Sequence, residues 1–150
     1  MPLPPPSNAD ATRALVAEFI DVIWNQQHLE QLGSYLHPAY VDHSLPAGLT
    51  PDQAGLRAWI EATGRSFQHH TRIDDQLTEG DKSVVKITML LTHFGEWRGI
   101  AATGRQVQTA GYRQYRVADG QIIEHWAAID GTVLESALRQ QNAPVCQVPE

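Results

Sequence analysis

The chain has little cysteine, no excess of basic charge and no long apolar segment. Its 150 residues include one cysteine, Cys146, which cannot form an internal disulfide or a cysteine-based zinc site. No apolar stretch approaches the roughly 20 residues of a membrane-spanning helix. Because 17 acidic residues outnumber 11 basic ones, no positive field is available for nucleic acid or an anionic lipid surface. These observations exclude disulfide-rich, membrane-embedded and nucleic-acid-binding classes.

The composition is that of a single folded domain with biased ends. Hydrophobic residues make up 42% of the chain and charged residues 19%, which excludes a disordered protein. We expect a flexible proline-rich tail over residues 1–9, one domain over 10–140, and a flexible tail over 141–150. The first six residues have neither a basic region nor an apolar core, so we do not expect them to form a signal peptide. Together with the lone cysteine, this predicts a cytoplasmic protein.

Apolar residues at helical spacing dominate the first part of the chain. They predict helices over about residues 10–24, 29–36 and 51–67, with Asp10 capping the first and Pro38 ending the second. Thr50 and Pro51 are predicted to be the cap and the first residue of the third helix. Asp130 can cap a short C-terminal helix.

From residue 72 onward the apolar period changes to two, which is typical of strands. Strands are predicted over residues 72–78, 83–93, 105–117 and 121–129, joined by turns at 79–81 and 118–120. Helices followed by about four antiparallel strands indicate an α+β fold. We expect the sheet to curve over the helices and to leave an apolar ligand cavity between the two layers.

The last hairpin predicts which side chains face that cavity. A three-residue loop at 118–120 would pair Arg113 with His125 on the cavity face, which also carries Tyr115. The same register pairs Tyr112 with Trp126 on the opposite face. A large aromatic pair is costly to leave in water, so we expect a second copy of the chain to cover that face as a homodimer.

Several ordered motifs resemble the SnoaL-like polyketide cyclases, which have the nuclear-transport-factor-like fold. The resemblance covers about residues 10–140 and is carried by Tyr40-Val41-Asp42-His43, Gly55-Leu56, Gly80-Asp81, Thr92-His93-Phe94-Gly95-Glu96, Gly99-Ile100, Thr103-Gly104-Arg105, Asp119-Gly120-Gln121-Ile122, Glu124-His125-Trp126 and Asp130. It implies a cone-shaped curved antiparallel sheet wrapped around N-terminal helices, with an apolar pocket between them. It also implies an intramolecular aldol reaction that uses no metal and no cofactor.

The chain departs from the family pattern at the catalytic pair that the resemblance implies. In the cyclases an aspartate occupies the position after Trp126, and a histidine on the facing strand corresponds to position 113. Here these positions hold Ala127 and Arg113. Three hypotheses therefore stay open: a cofactor-independent cyclase, lyase or isomerase, a polyketide hydroxylase-like protein, and a ligand-binding domain without chemistry.

Eight residues are candidates for the site. His93, Arg113 and His125 are the catalytic candidates, because imidazole can exchange protons near neutral pH and arginine can hold an anionic or enolic oxygen. His93 could instead be a structural residue near a loop, and Arg113 could reach the rim. The substrate-binding candidates are His43, Trp59, Phe67, Trp97 and Tyr115. No histidine spacing assembles a metal site, so no metal is expected.

Overall fold

The computed structural model describes residues 8–140, so Cys146 and the tail predicted over 141–150 lie outside the described residues. Helix α1 begins at Asn8, two residues before the predicted cap Asp10. The helices are α1 Asn8–Phe19, α2 Leu32–Tyr35, α3 Gln53–Ser66 and α4 Gly131–Arg139. No helix within this part of the chain has the length and apolar character needed to cross a membrane.

The strands form one open five-stranded sheet, which confirms the α+β prediction. They are β1 Leu36–Asp42, β2 Phe67–Glu79, β3 Lys82–His93, β4 Gln106–Ala118 and β5 Gln121–Ile129, in the spatial order β1-β5-β4-β3-β2. The expectation of a purely antiparallel sheet is wrong, because β1 runs parallel to β5. This extra strand brings the end of β1 beside the middle of β5.

The predicted helix boundaries need three corrections. The first helix does not stay α-helical to Trp24, because a π-helical turn replaces it over Ile20–Asn25. The second ends at Tyr35, and Pro38 lies inside β1. The third is capped by Asp52 rather than Thr50, since the Asp52 carboxylate accepts the Gly55 amide while Asp52 keeps an extended backbone.

One face of the sheet packs against the helices and holds the core. The predicted alternation in β3 is confirmed, since every second side chain from Ser83 to His93 is buried. His93 is completely buried at the end of this face. We call this the inner face of the sheet; it continues across β4 and β5 through Arg113, Tyr115 and His125.

The register of the last hairpin differs from the predicted one. Asp119 and Gly120 both have positive φ, of 53° and 74°, which is the geometry of a two-residue type I′ turn rather than a three-residue loop. A bulge between Arg116 and Val117 then shifts the pairing. The predicted direct pairing of Arg113 with His125 is wrong, since Tyr115 lies opposite His125 and Arg113 lies opposite Ala127. The shorter turn and the bulge each shift the pairing by one residue, so the same side chains still face inward.

The predicted pairing of Tyr112 with Trp126 is wrong. Tyr112 pairs with Ala128, and Trp126 pairs with Gln114 and stacks on the ring of His43 at 4.7 Å. Tyr112 is nevertheless 52% exposed on the outer face of the sheet. The homodimer stays a prediction, which sedimentation of the full chain and of a Tyr112→Lys variant tests.

Candidate functional site

A cavity of about 380 Å³ lies between the inner face of the sheet and the helices. Its walls are mainly apolar and aromatic, and they include three of the four tryptophans of the chain. The lining residues are Trp24, Asp42, Ser44, Leu45, Pro46, Leu56, Trp59, Thr63, Phe67, Met89, Leu91, Trp97, Arg98, Thr109, Arg113, His125, Ala127, Ile129, Gly131 and Leu134. Mainly apolar walls with a few polar groups are typical of cavities in which proteins bind small molecules.

Three buried polar side chains form a hydrogen-bonded series at the cavity wall, which we call the Asp42–His125–Arg113 triad. Asp42 Oδ2 lies 2.9 Å from His125 Nδ1, and Arg113 Nη1 lies 3.2 Å from His125 Nε2. Asp42 ends β1 and is the direct cross-strand neighbour of His125. Tyr40 and the Ser44 amide also donate hydrogen bonds to the Asp42 carboxylate, at 2.6 and 2.9 Å.

The partners of His125 define which ring nitrogen carries the proton. An ionised carboxylate can only accept hydrogen bonds, so His125 Nδ1 is the donor toward Asp42. A guanidinium can only donate, so His125 Nε2 accepts the N–H of Arg113. The imidazole is therefore neutral, with its free electron pair directed at Arg113 on the cavity wall.

Burial and neighbouring charges keep the triad in this state at neutral pH. Burial, joined by the positive charge of Arg113, lowers the pKa of His125 below 6.5, although the hydrogen bond to Asp42 opposes this. Burial alone would raise the pKa of Asp42, but hydrogen bonds from His125 and Tyr40 outweigh it and hold that pKa below 3.8. The triad thus combines a carboxylate, a neutral imidazole and a guanidinium.

Two buried tyrosines beside the triad differ in their hydrogen bonding. Tyr40 donates to Asp42, whereas the hydroxyl of Tyr115 has no partner among the described residues. Burial raises the pKa of Tyr115 to about 12. A buried hydroxyl without a partner costs free energy that a phenylalanine avoids.

We therefore expect opposite effects from removing these two hydroxyls. Tyr40→Phe should lower the free energy of unfolding by about 1.5–3 kcal/mol, as expected for a hydrogen bond to a charged group. Tyr115→Phe should leave it unchanged or raise it by about 1 kcal/mol. Urea denaturation of both variants measures the difference, and an equal loss in the two would contradict the partner assignment.

A second group of side chains lies where the segment after β3 reaches the cavity. Trp97 packs edge-on against Phe67, with ring centroids 5.4 Å apart. The guanidinium of Arg98 lies 4.4 Å above the Trp97 ring, and its Nη1 is 3.4 Å from Glu135. Trp97 and Arg98 therefore form one wall of the cavity, and α4 supports them.

The structure brings five of the eight candidate residues to the cavity. Trp59, Phe67, Trp97, Arg113 and His125 all line it. Their roles in binding and catalysis stay predictions.

The other three candidates lie outside the cavity lining. His93 packs on Phe67, and its Nδ1 contacts the hydroxyl and amide of Thr103 at 3.0 and 3.2 Å. Tyr115 is buried beside the His125 ring, with centroids 4.7 Å apart. His43 lies after β1 and pairs with Glu124 at 2.8 Å.

Sequence reasoning missed several residues of the site, among them Asp42, Trp24 and Arg98. Tyr40 and Asp42 are two apart on a strand, so they share a face, while His43 points to the other side. The alternation of side chains along a strand could be predicted from the motif itself, and it favours Asp42 over His43 as the residue that faces inward. Trp24 reaches the cavity from the π-helical turn, a local irregularity that leaves no clear sequence signal.

The residues described here contain no group of three or more His, Cys, Asp or Glu side chains placed to hold a metal ion. The polar groups at the cavity wall are instead the donors and acceptors of the triad, together with Ser44, Thr63, Arg98 and Thr109.

The protein is an α+β domain with an aromatic cavity between its sheet and its helices. Comparison with known proteins identifies the family to which such a domain belongs. The chain belongs to the SnoaL-like polyketide cyclase family, whose model matches residues 14–138. The resemblance drawn from the sequence motifs is thereby confirmed. No curated protein matches the chain significantly.

Solved structures share this fold over most of their length. TsrD from Streptomyces laurentii is 25% identical, with 86% of this chain and 95% of that chain covered and a TM-score of 0.75. AclR from Streptomyces galilaeus, a proposed hydroxylase, is 25% identical, with coverage of 88% and 98% and a TM-score of 0.77. IdmH from Streptomyces antibioticus, a proposed polyketide cyclase, is 25% identical, with coverage of 85% and 98% and a TM-score of 0.76.

Proposed function

We propose that the protein binds an aromatic or polyketide-like carbonyl compound in the cavity and transfers a proton at the carbon next to the carbonyl group. The observation that carries this proposal is the Asp42–His125–Arg113 triad at the wall of a cavity lined by three tryptophans. Membership of the polyketide cyclase family supports it. The proposed step uses only protein groups, so it calls for no cofactor.

In this mechanism His125 is the base and Arg113 binds the carbonyl oxygen. When that oxygen takes the N–H donors of Arg113, His125 Nε2 is released and accepts the proton from the neighbouring carbon. The C–H electron pair moves into an enolate, whose oxygen Arg113 stabilises. In a cyclisation, the enolate carbon bonds to a second carbonyl carbon of the same molecule, and the proton on His125 passes to the alkoxide.

The proposed base differs from the carboxylate that the family resemblance implies. Ala127 stands at the position of that carboxylate, directly opposite Arg113, and both line the cavity. A methyl group cannot accept a proton, so another group must do so. His125 lies two residues earlier on the same face of β5, and it has the free electron pair that the reaction needs.

Deuterium uptake at the acidic carbon of β-tetralone, a small aromatic ketone, tests the proposed proton transfer by NMR. The protein should accelerate uptake, and His125→Gln should slow it by about 100- to 10,000-fold, the usual contribution of a general base. The rate of deuterium uptake should rise with pH as His125 loses its proton. The midpoint of this rise should lie below pH 6.5, and the rate should level off at higher pH.

The matched control is His28→Gln, since His28 contacts Glu30 on the surface and lies outside the cavity. This variant should keep the wild-type rate. Uptake no faster than in buffer would refute the proposed proton transfer, and equal rates in both variants would remove His125 as the base. An assay on a methyl-ester anthracycline precursor then asks whether wild type cyclises it, and whether Ala127→Asp gains that activity.

A hydroxylase is the second candidate function, and the similarity to AclR favours it. It predicts dioxygen uptake with a polycyclic aromatic substrate, which an oxygen electrode measures directly. Binding of β-tetralone with neither deuterium uptake nor oxygen uptake would support a ligand-binding domain without chemistry.

A further inference from the structure

The charges that face the cavity differ in sign from those of the whole chain. The chain has a net charge of −6, but the cavity lining contains two arginines and one carboxylate. The carboxylate of Asp42 already accepts hydrogen bonds from Tyr40, Ser44 and His125. With His125 neutral, the side chains that line the cavity carry a net charge of +1, while Glu135, outside the lining, is shared between Arg98 at 3.4 Å and Arg139 at 3.3 Å.

Arg113 is a buried cation whose direct partner is not an anion. It is 5% exposed, and no carboxylate among residues 8–140 lies within ion-pair distance of it. Its guanidinium contacts His125 Nε2 and lies 4.8 Å above the ring of Trp24. Burial of a charge is costly unless an opposite charge or good hydrogen bonds compensate it. The free N–H donors therefore favour an oxygen-rich ligand group.

Arg98 places the second positive charge at the cavity wall. Its guanidinium stacks on Trp97, and its nearest carboxylate, on Glu135, is 3.4 Å away, which is long for an ion pair. A Cβ atom at Gly131 would lie 3.2 Å from Arg98 Nη2, so the glycine leaves room for the guanidinium. Arg98 also has a left-handed backbone, with φ of 50°, which is uncommon for a residue other than glycine.

We propose that the ligand of this cavity is an aromatic acid, whose ionised carboxylate pairs with Arg98 while its reacting carbonyl oxygen faces Arg113. The assignment of the carbonyl end rests on the proposed function; the preference for an acid rests on the charges alone. A monoanion matches the net charge of +1 on the cavity lining, whereas a phosphate monoester would bring nearly two negative charges. The tryptophans supply the flat apolar walls for the ring system.

Quenching of tryptophan fluorescence measures binding directly, because three of the four tryptophans line the cavity. The two ligands to compare are anthraquinone carboxylate and its methyl ester, which differ only in the negative charge. At low ionic strength we expect the acid to bind up to about fivefold more tightly, the upper limit for a half-exposed ion pair. Added salt should reduce this preference.

Arg98→Met should abolish the preference for the acid, so that the acid and the methyl ester bind this variant with equal affinity. The control is Arg57→Met, which removes an exposed arginine that donates to the Leu29 carbonyl outside the cavity. It should retain the preference. Circular dichroism of each variant confirms that the fold is intact.

Equal affinities of wild type for the acid and the ester would overturn the proposal. A preference that survives in Arg98→Met but disappears in Arg113→Met would also overturn it, because the carboxylate would then lie at Arg113. Anthraquinone carboxylate has no exchangeable carbon-bound proton next to a carbonyl group. The binding test can therefore succeed or fail independently of the proton transfer to β-tetralone.

Discussion

Replacing Asp42 by asparagine is expected to reduce the rate of catalysed deuterium uptake by β-tetralone by on the order of 10³- to 10⁴-fold. This is the size of loss seen when the carboxylate that holds a catalytic imidazole in its tautomer becomes an amide. The change removes one charge and converts one acceptor into a donor. It leaves the size and shape of the side chain nearly unchanged.

The hydrogen-bond partners of Asp42 explain why asparagine cannot replace it. If the amide nitrogen of the asparagine faces His125, the imidazole must carry its proton on Nε2 instead of Nδ1. The Nε2–H of His125 and the N–H of Arg113 are then two donors that face each other. If the amide oxygen faces His125, the amide nitrogen meets the N–H of Ser44. Either orientation leaves a buried donor without an acceptor, which costs about 1–3 kcal/mol of stability.

The matched control for Asp42→Asn is Asp74→Asn. Asp74 also accepts two side-chain hydrogen bonds on a strand, from Thr88 at 2.6 Å and Arg72 at 2.7 Å, but it lies outside the cavity. This variant should keep the turnover of the wild type. If Asp42→Asn retained wild-type turnover, the role of Asp42 in orienting His125 would be refuted.

The missed position of Asp42 shows what periodicity can and cannot predict. The alternation in β3 predicted its buried face because apolar side chains repeat there without interruption. In β1 the inward residues include the polar Tyr40 and Asp42, so the apolar pattern that marks a buried strand is weak. His43 attracted attention by its residue type, although its side chain contacts Trp126 and Glu124 instead of lining the cavity.

The hairpin shows that a shared face is easier to predict than a cross-strand partner. The predicted three-residue loop gave Arg113 and His125 as direct partners, whereas the actual turn has two residues and a bulge follows it. The two changes together preserve the parity of the strands. Arg113 and His125 therefore remain on one face but are diagonal neighbours, at a separation that still allows the hydrogen bond of 3.2 Å.

Other parts of the site depend on contacts that are distant in sequence. Trp24 comes from a π-helical turn, and Arg98 depends on α4, where Gly131 leaves space for its guanidinium. Neither arrangement follows from local spacing. The charge of the cavity could therefore be determined only after the elements were placed together.

Arg113→Met is expected to lower turnover of β-tetralone by about 100- to 1,000-fold, the usual effect of losing one donor to a developing oxyanion. The same change leaves His125 Nε2 without its donor, which alone would cost about 1–3 kcal/mol, but it also removes a buried charge, so the free energy of unfolding should fall by less than that. Methionine can fill the space beside Trp24, and an apolar group avoids the desolvation cost of a buried charge. The matched control is Arg72→Met, which removes an exposed arginine paired with Asp74.

The pH dependence distinguishes a role in the reaction from a role in packing. Arg113 lowers the pKa of His125, so Arg113→Met should move the acid limb of the pH–rate profile to higher pH. Asp42 raises the same pKa, so Asp42→Asn should move that limb to lower pH. A general disturbance of packing would not move the acid limb in opposite directions in the two variants. If both variants moved the acid limb in the same direction, or neither moved it, His125 would not be the group that titrates in the reaction.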